Sequence, residues 1–484
     1  MRTARKQQCS RVLRNTFGVS SFRPGQEQAA DALLDERDLL CILPTGAGKS
    51  LCWQLPALMM DGLTIVISPL IVLMHDQVRH LRERGIPSVH LDSLMTPAER
   101  ADALNQLTRG QAKIAFLAPE RLNHPEIHAL CQQRPPAMVV VDEAHCVVQW
   151  GDAFRPSYQQ IGQFVSSLPR RPVLCAMTAT ADKQLQRGIV QSLGLRHPKR
   201  IVMPVERPNL HYSVLPTVHV TDAILRALQK IPGKAVVFCR LRARTESLAE
   251  QLNRAGIPAA AYHAGLNREE RSRVVLAYLS GRIRVVTATS AFGMGVDIPD
   301  IRLILHDHLP TNMIDYVQQS GRAGRDGETA YALLLFSPAD LLRFHMRCQQ
   351  IRLQHKHRPF TQYALIQREW RPYRRVLRFC LQAPCLSQGI SAAFGQKSAL
   401  CGNCSACRSG AIGKEIPNIP RMTVQELYCW ILQLHRDELH RRNPHQKQAT
   451  NAQLREVAET MQLPDNLPGR ETYFPYLRAF QSHP

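Results

Sequence analysis

A glycine-rich segment near the N-terminus has the residues needed to bind a nucleoside triphosphate. The sequence Leu43-Pro-Thr-Gly-Ala-Gly-Lys-Ser50 follows an apolar run and precedes a helix-like stretch. The backbone of Thr45, Gly46 and Gly48 could close around phosphates, and the N-terminus of the next helix favours negative charge. Lys49 could neutralise the β- and γ-phosphates, while Ser50 could hold Mg²⁺. A simple glycine turn is the alternative, but the strand–loop–helix context favours phosphate binding.

Two adjacent carboxylates follow a later apolar run, Val139-Val-Val-Asp-Glu-Ala-His145. At the end of a strand, Asp142 could bind Mg²⁺ through water. Glu143 would then orient and deprotonate the water that attacks the γ-phosphate. Acidic residues at a strand end are a weak signal alone, but an upstream phosphate loop makes it strong.

A second glycine-rich segment, Tyr316-Val-Gln-Gln-Ser-Gly-Arg-Ala-Gly-Arg-Asp-Gly327, carries Arg322 and Arg325. Phosphoryl transfer needs positive charge near the γ-phosphate in the transition state. If that charge came from a second domain, hydrolysis would depend on domain closure, as a motor requires. A solvated basic loop is the alternative.

Four of the fourteen cysteines have the spacing of a metal site. Cys401, Cys404 and Cys407 form a C-x₂-C-x₂-C run, and Cys385 lies sixteen residues before it. Four thiolates suit tetrahedral zinc; an iron–sulfur cluster and metal-free thiols are the alternatives, and Cys380 competes as the fourth ligand. Most other cysteines stand singly, which favours a reducing compartment, the cytoplasm, over a disulfide framework.

The composition favours a polyanionic partner. The 484 residues include 61 Lys or Arg and 39 Asp or Glu, a formal charge of +22. Between Leu341 and Cys380 ten basic residues accompany one acid, and three aromatic residues lie among them: Trp370, Tyr373 and Phe379. This pattern favours nucleic-acid binding over a basic surface that serves only solubility. The longest apolar run, Leu63 to Met74, is too short for a membrane span, and no signal peptide is evident.

Two series of strand-length apolar runs predict two copies of one α/β architecture. The first series comprises Leu39–Leu43, Thr64–Ser68, Ile114–Ala118, Met138–Val141 and Val173–Met177. The second comprises Ala235–Cys239, Ala259–Tyr262, Val285–Thr287, Leu303–His306 and Ala330–Phe336. The proline-containing segment from Ile201 to Pro216 is predicted to link them.

These motifs together resemble superfamily 2 helicases, and specifically the RecQ family, over residues 10 to 408. The most specific likeness is the aromatic-rich loop from Cys146 to Tyr158 that follows the acidic pair. The resemblance implies that Arg23 and Gln26, in Phe22-Arg-Pro-Gly-Gln26, read adenine and that Gln318 also lies at the nucleotide. It implies that Arg325 is an arginine finger and that Arg322 links the nucleotide to the aromatic-rich loop. DNA would be sensed by residues of that loop: Trp150, Phe154 and Arg155.

Several positions depart from the family pattern. Val19 stands where an aromatic residue often stacks on adenine, and Gly151-Asp-Ala-Phe154 replaces the usual Gly-His-Asp-Phe. Cys385 aligns with the family's first zinc cysteine, although Leu386-Ser387 replaces the usual Arg-Arg. The family's winged helix is not recognisable after Ser409.

The resulting prediction is an α/β protein with two tandem RecA-like domains, a helical zinc-binding module and a short C-terminal region. The predicted boundaries are 1–205, 206–340, 341–408 and 409–484. The resemblance implies an ATP-dependent 3′-to-5′ DNA helicase of repair or recombination, with ATP, Mg²⁺ and Zn²⁺ as cofactors and single-stranded and duplex DNA as partners. An RNA helicase, and a DNA-binding or annealing factor switched by ATP, are the alternatives.

Overall fold

The computed structural model describes residues 2–44, 46–69, 71–149, 158, 160–217, 219–292, 298–411 and 413–423, and positions 426, 427, 430, 431 and 434. This part of the chain divides into two compact units. The first unit runs to Val205 and also takes in residues 394–396, and the second unit begins at Glu206. The helical region after residue 340 groups with the second unit, so the four-part division stays a prediction.

The first unit is built on a seven-stranded parallel sheet. Its strands are β1 (Leu39–Ile42), β2 (Leu63–Ile67), β3 (Ser88–Leu91), β4 (Ile114–Leu117), β5 (Pro136–Val141), β6 (Val173–Thr178) and β7 (Lys199–Val202). They lie in the order β3-β4-β2-β5-β6-β1-β7, and all pairings are parallel. Every residue of β1, β2, β4 and β6 is buried, because helices cover both faces of such a sheet.

The helices of the first unit connect these strands. They are α1 (Arg2–Phe17), α2 (Gln26–Leu34), α3 (Leu51–Met59), α4 (Ile71–Glu83), α5 (Pro97–Thr108), α6 (Pro125–Gln133), α7 (Cys146–Gln149), α8 (Ile161–Ser167) and α9 (Lys183–Leu193), with a 3₁₀ turn at Pro119–Arg121. Since the strands are parallel, the loops that follow β1, β5 and β6 open at one edge of the sheet, the place where such folds bind ligands.

The second unit contains a six-stranded parallel sheet. Its strands are β8 (Leu210–Pro216), β9 (Lys234–Phe238), β10 (Ala259–Tyr262), β11 (Val285–Ala288), β12 (Ile301–His306) and β13 (Ala330–Phe336), in the order β10-β11-β9-β12-β13-β8. The connecting helices are α10 (Val220–Lys230), α11 (Arg242–Arg254), α12 (Arg268–Leu279) and α13 (Met313–Ser320). The two predicted series of strands are therefore confirmed.

The predicted link from Ile201 to Pro216 is wrong over much of its length. Residues 210–216 form β8, an edge strand that pairs with β13 along its whole length. Its residues alternate between buried and half-buried, a pattern that the proline count obscured. Pro216 is tolerated because it ends an edge strand, where a missing N–H costs little.

The basic region continues as helices α14 (Pro338–Gln354), α15 (Pro359–Gln382), α16 (Leu386–Ala393) and α17 (Ser405–Ser409), followed by a 3₁₀ turn at Ile419–Arg421. The three aromatic residues that lie among its charges in the sequence are not exposed for base stacking. Trp370, Tyr373 and Phe379 of α15 are at most 4% exposed. The ring of Tyr373 stacks on Phe344 at 4.3 Å between centroids.

The helical period separates the aromatic residues of α15 from its charges. Residues 370, 373, 377 and 380 share the buried face, whereas an exposed face carries four arginines: Arg371, Arg374, Arg375 and Arg378. Positions three and four residues apart lie on one side of a helix, so these four arginines form a basic face. Beyond residue 423 only positions 426, 427, 430, 431 and 434 are described, and all residues from 435 onward lie outside the described residues.

Among the described helices, none combines the length and the apolar character that crossing a membrane requires.

Candidate nucleotide and metal sites

The predicted phosphate loop connects β1 to α3 in the first unit. Gly46 and Gly48 have φ values of 84° and 76°, a conformation that favours glycine. A Cβ atom at Gly48 would lie 2.6 Å from Nε2 of Gln26, so a side chain at this position would displace that amide. Ser50 precedes α3 without capping it through its hydroxyl, which suits the predicted role of that hydroxyl in binding Mg²⁺. Thr45 lies outside the described residues.

Arg23 and Gln26 both bond to this loop. Nη1 of Arg23 donates to the Gly46 carbonyl at 2.7 Å, and Nε2 of Gln26 donates to the carbonyls of Ala47 and Gly48 at 3.1 and 3.0 Å. The amide oxygen of Gln26 accepts the N–H of Arg23 at 2.8 Å. Both ends of the Gln26 amide are thus engaged in hydrogen bonds.

The two acids predicted to be catalytic, Asp142 and Glu143, directly follow β5. Glu143 Oε1 lies 3.6 Å from Lys49 Nζ, and both side chains are largely buried. Burial, and then the neighbouring charge of Glu143, raise the pKa of Asp142 to about 6. A divalent cation at this carboxylate would favour its ionised form. Lys49 precedes Asp142 and Glu143 by more than ninety residues in sequence. The fold therefore brings the three residues together at one edge of the sheet.

His145 is a site residue that the sequence analysis missed. Its Nδ1 lies 3.2 Å from Glu143 Oε2 and 3.1 Å from the Thr178 hydroxyl at the end of β6. The ring is buried, so it fixes the Glu143 carboxylate relative to β6. Its position in Asp-Glu-Ala-His was the only signal in the sequence.

The second glycine-rich segment forms a loop after α13 in the second unit. Gln318 lies on α13, and the N–H of Arg322 donates to the Gln319 carbonyl just beyond it. The backbone N–H of Arg325 donates to the Pro299 carbonyl at 3.0 Å. Arg322 and Arg325 are both half-buried.

Two residues outside the motif hold this loop in place, and the sequence analysis missed both. Arg207 donates to the carbonyls of Gly321, Ala323 and Gly324 at 3.1, 3.1 and 2.6 Å. Asn209 Nδ2 donates to the carbonyls of Gly324 and Glu328 at 2.9 and 2.8 Å. Both precede β8, in the segment predicted to be only a link.

The four predicted metal-binding cysteines lie together in the second unit. Their sulfur atoms are all within 4.8 Å of one another, with 3.4 Å between Cys385 and Cys401 and 4.0 Å between Cys401 and Cys407. Tetrahedral zinc with Zn–S bonds of about 2.3 Å places its sulfurs about 3.8 Å apart, so the group fits zinc. Cys380 is not a member of this group and is buried within α15.

Backbone groups favour the thiolate form of Cys404. The sulfur of Cys404 accepts N–H groups from Leu386 and Cys407 at 3.2 and 3.4 Å. Burial alone would raise the pKa of Cys404, but these donors lower it to about 7. Gly402 has a φ of 71°, which lets the chain turn between Cys401 and Cys404.

Trp150, Phe154 and Arg155, the residues predicted to sense DNA, lie outside the described residues. Their role stays a prediction.

Two family models match the chain in order: DEAD/DEAH box helicase over residues 23–187 and helicase conserved C-terminal domain over residues 218–327. An ATP-dependent DNA helicase RecQ from Pasteurella multocida is 40% identical over 341 residues, which are 70% of this chain and 54% of the relative. The protein of the same name from Synechocystis is 40% identical over 346 residues, 69% of this chain and 72% of the relative. The match thus spans little more than half of the Pasteurella protein.

The fold is shared with solved helicases. Mycobacterium smegmatis helicase Lhr, bound to single-stranded DNA and AMP-PNP, has a TM-score of 0.54 at 20% identity, covering 76% of this chain and 57% of that one. This likeness supports the fold alone, and the two parallel sheets are RecA-like domains, as predicted. With both helicase models matched in order and 40% identity over most of the Synechocystis protein, the chain belongs to the RecQ family.

Proposed function

We propose that this chain is an ATP-dependent DNA helicase that moves 3′ to 5′ on single-stranded DNA and separates duplexes during repair or recombination. The observation that carries the proposal is the meeting of Lys49, Asp142 and Glu143 at the phosphate loop of a RecQ-family chain. Relatives at 40% identity are named ATP-dependent DNA helicases.

The contact between Lys49 and Glu143 supports a mechanism in which ATP binding breaks their salt bridge. The β- and γ-phosphates of ATP would take over Lys49 Nζ from Glu143 Oε1, 3.6 Å away. Glu143, still fixed by His145 at 3.2 Å, would then accept a proton from the attacking water. Mg²⁺, held by Ser50 and Asp142, would offset the phosphate charge. Hydrolysis would begin only when ATP has released the catalytic base.

The positive charge for the transition state would come from Arg325, as the family resemblance implies. Arg207 and Asn209 hold its loop by backbone contacts, so we infer that they are positioning residues. Supplying this charge from the other RecA-like domain would couple hydrolysis to domain movement.

The four clustered cysteines would bind a structural zinc ion. Sulfur–sulfur distances near those of a ZnS₄ tetrahedron support this, as do the N–H groups that donate to Cys404. A closed four-thiolate site has no open position for catalysis. Its ion would instead join the start of α16 to α17.

DNA would be held by basic residues and sensed by the aromatic-rich loop. The basic face of α15 supports this, because four exposed arginines on one side of a helix can follow a phosphate backbone. The thirteen cysteines in the described part of the chain form no disulfide bond, which suits a reducing compartment such as the cytoplasm.

The test is ATP hydrolysis and strand displacement by the purified chain. We expect single-stranded DNA to stimulate hydrolysis more than RNA of the same sequence, and duplexes with 3′ tails to be unwound in preference to those with 5′ tails. Lys49→Ala and Glu143→Gln should lack both activities. Equal or greater stimulation by RNA would identify an RNA helicase. ATP-dependent DNA binding without turnover would identify a switched binding factor.

A further inference from the structure

A cluster of two histidines and one aspartate lies in the first RecA-like domain, on residues that the ATP site does not use. We propose that His75, His90 and Asp92 form a second metal site, which binds a divalent transition-metal ion such as Zn²⁺. The proposal concerns a separate site and does not depend on helicase activity.

Two elements bring the three side chains together. His75 lies on α4, His90 lies in β3, and Asp92 directly follows β3. The helix packs along this strand in the first unit. The two imidazole rings face each other with centroids 4.1 Å apart and planes tilted by 34°.

The distances between the donor atoms suit a small metal ion. Oδ2 of Asp92 lies 2.8 Å from Nε2 of His75 and 3.0 Å from Nδ1 of His90. All three ligand atoms are within 4.8 Å of one another. A tetrahedral ion with bonds of about 2.0 Å separates its ligand atoms by about 3.3 Å. The two imidazole nitrogens therefore need to move away from Asp92 Oδ2 by only a few tenths of an ångström to make room for the ion.

The surroundings leave one carboxylate oxygen directed at the rings. Oδ1 of Asp92 accepts the N–H of Leu94 at 2.8 Å, while Arg121 donates to the backbone carbonyl of Asp92 at 2.9 Å. Asp92 is 1% exposed. Its carboxylate is therefore held in one orientation. The outer contacts of a metal ligand usually have this effect.

The chemistry of the donors indicates the class of metal. Two imidazole nitrogens and one carboxylate oxygen suit Zn²⁺, Co²⁺ or Ni²⁺ and not Ca²⁺ or Mg²⁺, which prefer oxygen. Each histidine side chain is about one quarter exposed, 26% for His75 and 25% for His90. Solvent can therefore fill the position that three protein ligands leave open.

The competing explanation is a purely structural cluster, in which the two rings only hydrogen-bond to a buried carboxylate. Zinc content of the tag-free, full-length chain, dialysed against buffered Zn²⁺ and measured by elemental analysis, distinguishes the two. We expect two zinc ions per chain in the unchanged protein and one in His75→Asn and in His90→Asn. His80→Asn, at an exposed histidine of the same helix, is the matched control and should keep two.

Co²⁺ alone, added to the metal-free chain, separates this site from the cysteine cluster. Sulfur-to-cobalt charge-transfer absorption should be unchanged in His90→Asn, while the weaker bands of a nitrogen–oxygen site should be lost. Thermal unfolding should shift upward with added Zn²⁺ in Cys404→Ser but not in Cys404→Ser combined with His90→Asn. The proposal is overturned if the unchanged chain binds one zinc ion only, or if the second ion persists in both histidine variants.

Discussion

The three residues that we propose for hydrolysis, Lys49, Glu143 and Arg325, are distributed over both RecA-like domains. The first two already contact each other in one domain, and the third lies on a loop of the other. We predict that Arg325→Ala still binds ATP, because the phosphate loop is intact, but hydrolyses it at least about a thousandfold more slowly. Turnover under saturating DNA and binding of a fluorescent ATP analogue measure the two effects.

A matched control for this variant is Arg254→Ala. Arg254 lies in the same unit, is 79% exposed and pairs only locally with Glu250 on the same helix. It should hydrolyse ATP at the normal rate. Near-normal turnover by Arg325→Ala would place the arginine finger at another residue.

Trp150 is the residue on which the predicted response to DNA depends most. An aromatic side chain contributes about 1–3 kcal/mol when it stacks on a base. We expect Trp150→Ala to keep its basal ATPase rate and to lose most of the stimulation by single-stranded DNA, with Trp150→Phe retaining part of it. If Trp150 only packs against the protein, Trp150→Ala will lose thermal stability and basal activity together.

At the scale of elements, the segment before β8 positions the loop that carries Arg325. Arg207 donates to three carbonyls of that loop. We predict that Arg207→Ala lowers kcat by about ten- to a hundredfold, because small displacements of a charged group have effects of that size. The Kd for ATP should change little, and Arg207→Lys should restore part of the rate. A normal kcat in Arg207→Ala would show that the loop holds its position without this residue.

The cysteine cluster brings the start of α16 together with α17. Such sites contribute directly to the free energy of folding. Cys404→Ser should therefore lose the ion of this cluster, become less soluble and bind DNA more weakly. Elemental analysis of the purified chain checks the first point, and iron in place of zinc would contradict the assignment.

The choice of Cys385 over Cys380 has its own test. Cys385→Ser should lose the ion, whereas Cys380→Ser should keep it because that thiol is buried within α15. The reverse result would make Cys380 the fourth ligand.

At the scale of the whole molecule, the positive charge is unevenly distributed between the helical region and the C-terminal region. From Arg408 onward the sequence contains ten basic and eight acidic residues. The basic face of α15, in contrast, carries four exposed arginines. We predict that charge reversal at Arg374, Arg375 and Arg378 weakens duplex binding more than removal of all residues after Gly410. It should also reduce the salt dependence of binding, because fewer counterions are released.

Three other exposed arginines provide the control. Arg37, Arg170 and Arg200 lie beside the amino ends of β1, β6 and β7, opposite to the edge that carries the phosphate loop. Reversal of their charge should affect binding less. If instead the truncation abolishes duplex binding and the reversals in α15 do little, the C-terminal region is a DNA-binding domain in its own right.

Sequence patterns were sufficient for those parts of this protein whose information is local. The phosphate loop, the acidic pair and the cysteine spacing are contiguous, so each could be interpreted from neighbouring residues. Ten strands were likewise predicted, because apolar runs of strand length indicate a buried parallel sheet wherever they lie.

Tertiary structure alone decided which distant residues meet and which side chains face water. Arg207 contacts Gly324 across 117 positions of sequence, and His75 meets Asp92 only because α4 packs on β3. Trp370 and Tyr373 are surrounded by charged residues in the sequence, yet the orientation of α15 buries both side chains. These outcomes depend on how the elements pack, because hydrophobic burial fixes the face that each helix turns inward.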